Sequence, residues 1–183
     1  MLTFPEKGPK NTEETIKTAV AYAKAHDIHQ IVVASNEGVT ARYLKDCGLK
    51  VTVVTHQTGF RERGQQEMTE EVRRELIDAG MQVVTTTHFL AGPDRAIARK
   101  FGGVYPAELI AHTLRLFGAG VKVGIECAVM ALDAGCLNAD EDVIAIGGTG
   151  RGADTAMVLR PGHSQDFFDT DVKEILCMPY GHR

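Results

Sequence analysis

Four short runs rich in β-branched residues limit what this chain can become: QIVVA at 30–34, KVTVVT at 50–55, MQVVT at 81–85 and DVIAI at 142–146. The first shows no alternation of apolar and polar residues, as expected of a parallel strand covered on both faces, and the others repeat its signature. Helical patterns separate them. A first helix over 11–26 carries Asn11 and Glu14 at capping-box spacing, with Ile16, Ala19, Val20 and Ala23 on one face. A second pattern at 39–47 closes at Gly48, and a third at 67–79 stops at Gly80 after a polar loop over 56–66. The run at 81–85 opens a long connection through Gly92-Pro93 and Gly102-Gly103. Pro106 and Gly118 then frame a helix whose Leu109, Ile110, Leu114 and Phe117 share a face, and a further helix spans 121–134.

The end of this series differs from its beginning. After 142–146 only GGTGRGAD, residues 147–154, precedes another apolar run at 155–159. A parallel crossover needs a dozen residues or more, so these two strands should pair as an antiparallel hairpin. A last run at 172–178, limited by Pro179, is expected as an edge strand. The pattern predicts a three-layer α/β/α sandwich on a mostly parallel sheet, with residues 1–183 forming a single domain.

Charge and composition narrow the class of partner. Lys plus Arg number 20 against 24 Asp plus Glu, a formal charge of -4, and aromatic residues are 6% with no Trp. This balance argues against nucleic acid or an anionic membrane surface as partner, while small anions need only local donors. Cys47, Cys127, Cys136 and Cys177 form no CxxC pair and read as reduced core thiols. With no signal-like segment and no long apolar run, the expected location is the cytoplasm.

Three stretches could carry chemistry. SNEGVT at 35–40 lies between a strand and a helix, where Gly38 permits close backbone approach and Ser35 and Thr40 add hydroxyls, a combination suited to phosphate. GGTGRGAD brings four glycines and one planar cation, Arg151. Strand ends deliver Thr55-His56 and Thr87-His88 to one carboxyl edge, where open α/β sheets bind ligands. His56 and His88 are the candidates for acid–base work, and Phe60, Arg61 and Arg63 could cover a planar or anionic ligand. No metal site is expected: His26, His29, His163 and His182 make no HxH or HExxH pattern. Cys127, beside Glu126 in an apolar run, reads as core and not as a nucleophile.

IVVASNEGVTARYL, KVTVVT and GGTGRGADTAMVL together resemble the C-terminal α/β domain of pyruvate kinase, and more closely the free-standing prokaryotic proteins of that fold, over about residues 11–159. The resemblance implies a sheet of order 3-2-1-4-5 with strand 5 antiparallel, counting the strands in the order given above. Its crevice would lie between strands 1 and 4, the strands that precede SNEGVT and GGTGRGAD. Ser35, Asn36, Gly38 and Thr40 match the family's phosphate turn, and Gly148, Thr149, Gly150, Arg151 and Gly152 fall on its closing loop. The catalytic barrel of pyruvate kinase does not fit into 183 residues. Asn36 and Glu37 replace small hydroxyl residues, and a carboxylate there disfavours a doubly phosphorylated sugar. The resemblance implies a phosphorylated small molecule or nucleotide as ligand, with FMN first, adenine or pyridine nucleotides as alternatives, and Thr55, His56, Phe60 and His88 around its ring. The rival expectation is a small flavin-dependent or acid–base enzyme acting on a phosphorylated metabolite; a third is a subunit that assembles with its own copies.

Overall fold

The computed structural model describes residues 1–181; His182 lies outside them. All seven strands join one sheet: β1 (Leu2–Phe4), β2 (Gln30–Ala34), β3 (Lys50–Val54), β4 (Gln82–Val84), β5 (Val143–Gly147), β6 (Thr155–Arg160) and β7 (Asp171–Pro179). The spatial order is β1-β7-β6-β5-β2-β3-β4. The five expected strands are β2 to β6, and they take the order the resemblance implied. β5 and β6 pair antiparallel with Ile144 opposite Val158, while β2, β3, β4 and β5 run parallel. The expectation of an edge strand at 172–178 is corrected: β7 is covered on its outer side by β1, which pairs parallel to it from Leu2 opposite Cys177 to Phe4 opposite Pro179.

Successive strand residues face opposite sides of the sheet, and this divides the core in two. Ile31, Val33, Ile144, Ile146, Ala156 and Val158 pack with Ile16, Ala19 and Ala23 of α1 (Thr12–Ala25) and with Leu76 of α3 (Glu70–Asp78), past the short α2 (Val39–Arg42). Val32, Val143, Ala145, Met157 and Leu159 pack on the other face against Ile125, Ala128 and Leu132. Those three belong to α6 (Ala119–Asp133), which follows α4 (Gly92–Phe101) and α5 (Pro106–Leu114). The result is the expected three-layer sandwich. Among the described residues no helix is long and apolar enough to cross a membrane.

Local departures have identifiable causes. The connection after β4 contains a ten-residue helix, α4, started by Pro93 at its first turn where a missing N–H costs nothing. Asn11 does not close a capping box; its side chain donates to the Glu6 carbonyl at 2.7 Å, while a 3-10 turn over Pro9–Asn11 leads into α1. The third helix begins later than its charge pattern implies, because Thr69 caps it by accepting from the Val72 N–H at 3.3 Å. In α5 the shared apolar face is only partly covered: Leu114 packs against the core formed with α6, whereas Leu109 is exposed and Phe117 is exposed beyond the helix.

Candidate functional site

The carboxyl ends of β2, β3 and β5 open onto a cavity of about 370 Å³. Ser35, Asn36, Thr40, Thr55, His56, Phe60, His88, Gly148, Gly150, Arg151 and Gly152 all line it. Eleven positions chosen from four separate stretches of sequence therefore meet at one place. Gly38 and Thr149 do not line it.

The glycines require a correction. Gly38 sits at φ +83°, and a Cβ there would lie 2.4 Å from Val72 Cγ1. Its small size admits α3 and the left-handed backbone. Most glycines of the 147–154 loop likewise have neighbours that leave no room for a Cβ, although Gly148 and Gly152 also line the cavity. A Cβ on Gly147 would meet the Gly120 carbonyl at 2.2 Å, one on Gly148 the Gly152 carbonyl at 2.3 Å, and one on Gly152 the Cα of Pro9 at 2.5 Å. Only Gly150, at φ +80° with open space around it, is free of neighbours in this loop. The loop is thus held tightly at its base and open at its tip.

Asp154 organises that base. It is fully buried, and its carboxylate accepts from the Gly8 N–H at 3.0 Å, the Thr149 N–H at 3.2 Å and the Thr155 hydroxyl at 2.9 Å. Thr12 adds a hydroxyl that accepts from the Ala153 N–H at 3.0 Å. Opposite, Ser35 accepts the Ala41 N–H at 3.3 Å, which stabilises the first turn of α2 and leaves the serine proton to donate. The Thr55 hydroxyl is already engaged with the His56 carbonyl at 2.9 Å and the Thr85 hydroxyl at 2.7 Å.

Arg151 and Glu37 bridge the two loops, with Nη1 2.5 Å from Oε1. Glu37, read from sequence as a repulsive neighbour, is thus the partner of the loop's only arginine. Both side chains keep substantial exposure, 54% and 40%, so solvent screens the pair.

The far wall is a ring cluster. His56 stacks on Phe60 at 3.9 Å between centroids; His88 lies 5.2 Å from His56 and 5.0 Å from Phe60. Arg95 of α4 approaches the Phe60 ring at 5.9 Å. Burial lowers the His88 pKa to about 4 against the pull of Glu126, with His56, Lys122 and Arg95 adding to the drop, so this ring is neutral near pH 7.

Several site residues carried weaker sequence signals. Val123, Glu126, Cys127 and Met130 of α6 complete the cavity. Glu126 is buried with Lys122, one turn earlier, as its ion partner, and it accepts the Leu90 N–H at 3.0 Å. Two charges four residues apart, in a helix whose one other charged residue is its terminal Asp133, were the available signal. Burial pushes the Cys127 thiol up to about 12, which favours the protonated form. Among the described residues no group of three His, Cys, Asp or Glu side chains could hold a metal ion.

The arrangement offers one cationic fork, a serine and a threonine hydroxyl and a cluster of flat rings around a single cleft. A family model for the pyruvate kinase alpha/beta domain matches residues 13–159, from the first helix to the antiparallel strand that follows the glycine-rich loop. The chain belongs to the pyruvate kinase alpha/beta domain family.

Proposed function

We propose that this chain binds a phosphorylated small molecule or nucleotide in the cleft between the 35–40 turn and the 147–154 loop, with FMN as the first candidate ligand. The observation that carries the reading is the convergence of those two loops, joined by Arg151 and Glu37, on a cavity whose opposite wall holds His56, Phe60 and His88. Arg151 supplies the charge-assisted contact to phosphate, and Ser35 and Thr40 the hydroxyl donors. A cavity of about 370 Å³ falls in the range of small-molecule sites. The Glu37 carboxylate favours a single phosphate over two, because each further anionic group would meet it in the same cleft. The four cysteines are free thiols, two of them buried, which supports the cytoplasm as the working location.

The test is a fluorescence-quenching titration with FMN, riboflavin, adenosine monophosphate and ribose 5-phosphate. The reading expects FMN to bind with a dissociation constant of about 10 μM or tighter and riboflavin at least about tenfold more weakly. Absence of quenching by FMN removes the flavin. Equal affinity for FMN and riboflavin removes the phosphate from this cleft.

A further inference from the structure

His56 is not a solitary imidazole. Its Nδ1 lies 2.5 Å from Glu67 Oε2, and the Glu67 side chain is only 13% exposed. A carboxylate has only acceptors to offer, so Nδ1 carries the proton and donates, and in the neutral ring Nε2 keeps the free lone pair. Glu67 is itself held in place. Arg61 Nε lies 2.8 Å from its Oε1, an oxygen that is buried and lacks an aligned hydrogen bond. Gln66 ties the two partners' backbones together: its Oε1 accepts from the Glu67 N–H at 2.6 Å, and its Nε2 donates to the His56 carbonyl at 3.0 Å. The ring so oriented stacks on Phe60 and lines the cavity. The backbone N–H of His88, the other imidazole of the wall, donates to Gln57 Oε1 at 3.4 Å.

We propose that Glu67 is the positioning residue for His56: by holding Nδ1–H it commits Nε2 to the cavity as hydrogen-bond and proton acceptor for the ring end of the ligand. The substrate class this selects is a phosphorylated compound whose flat ring carries an N–H or O–H at its edge. The proposal rests on the phosphate-binding reading and adds the recognition of the other end of the ligand. The proton balance is simple. The ring N–H or O–H shares or gives its proton to Nε2, Nδ1–H stays bonded to Glu67, and the carboxylate offsets the positive charge left on the imidazole. The other charges of the ring cluster are Arg61, which pairs with Glu67, Arg95 of α4, which lies over Phe60, and Lys122 and Glu126 of α6, which act on the neighbouring His88.

Two measurements on the full chain test this. Nitrogen-15 spectra of the ligand-free protein at about pH 8 should show His56 with protonated Nδ1 and bare Nε2. Glu67→Met, which has no comparable acceptor, should shift it toward the Nε2–H form that dominates in free histidine. Glu67→Gln, whose amide oxygen still accepts, should keep the Nδ1–H form. FMN affinity should fall about tenfold in Glu67→Met and less than about threefold in Glu67→Gln, with inorganic phosphate affinity the same in all three. A wild-type His56 protonated on Nε2, or a tautomer indifferent to Glu67→Met, overturns the pairing. Equal losses of FMN and phosphate affinity overturn the assignment to the ring end. If wild-type protein binds no FMN, the flavin reading fails by itself, and the tautomer spectra still decide whether Glu67 orients His56.

Discussion

Replacing Arg151 by alanine separates what this side chain does for the fold from what it does for a ligand. In the protein it reaches across the cleft to Glu37 with both partners substantially exposed, and pairs of that kind stabilise by about 0–1 kcal/mol. The base of its loop is fixed by Asp154, Thr12 and three sterically required glycines, none of which depends on the guanidinium. The melting temperature should therefore hardly change. On the proposed reading a bound phosphate would draw on the same guanidinium for a charge-assisted contact of about 1.5–3 kcal/mol, reduced by up to about 1 kcal/mol for the Glu37 pairing it displaces. The net, about 0.5–3 kcal/mol, corresponds to a loss of about 2- to 150-fold in FMN affinity for Arg151→Ala. Glu37→Gln releases the arginine and should tighten FMN by up to about fivefold, the equivalent of 1 kcal/mol. Calorimetric titration of both single variants and the double variant forms a thermodynamic cycle. The gain from Glu37→Gln should shrink once Arg151 is gone. FMN affinity unchanged in Arg151→Ala would refute the reasoning, since the phosphate would then lie outside the bridge between the loops.

Other expected outcomes follow from buried groups. Glu126→Ala should destabilise the protein by about 3–5 kcal/mol in urea unfolding, because Lys122 would be left buried and unpaired, whereas Lys122→Met with Glu126→Leu should restore most of it. Gly38→Val should appear as a loss of folded protein by circular dichroism, because its Cβ meets Val72 and its φ is left-handed; a folded variant that merely fails to bind would contradict this. His88 gives a pH dependence with a defined sign. Its folded pKa of about 4 lies below the usual 6.5, so the unfolded chain takes up the proton first. The stability tied to neutral His88 is complete above about pH 6.5 and is lost as pH falls toward about 4. Urea unfolding across that range should show a loss of ~1–3 kcal/mol that His88→Gln removes.

The strands were legible because residues buried on both faces must be apolar and favour branching, and that signal is local in the chain. The hairpin at 147–154 was legible from length alone, since no helix fits between its strands. β1 was not: three residues of strand exist only because β7 offers them a partner some 175 positions away in register, Leu2 against Cys177. α4 was hidden by Gly92-Pro93, a pair that breaks most helices and here begins one. The positions of the site were readable while the reasons for its glycines were not. Gly38, Gly147 and Gly152 answer to Val72, Gly120 and Pro9, neighbours that only the folded chain supplies. Glu67, behind the cavity-lining His56, and Glu126 belong to the same class: their bonds to His56 and to the Leu90 N–H span 11 and 36 positions.

Asp154 has a consequence for the time course of folding. The hydrogen bonds that hold the closing loop join Gly8 to Asp154 and Thr12 to Ala153, sequence separations of 146 and 141. The parallel core β2-β3-β4 involves partners no more than about thirty positions apart and can assemble while later residues are still being synthesised. The cleft cannot, because one of its two walls waits for segments from opposite ends of the chain to meet. A nascent chain would therefore have the partners of β2, β3 and β4 available while the cleft is still unmade. Ligand present during synthesis would act only on the final step, by trapping the closed loop.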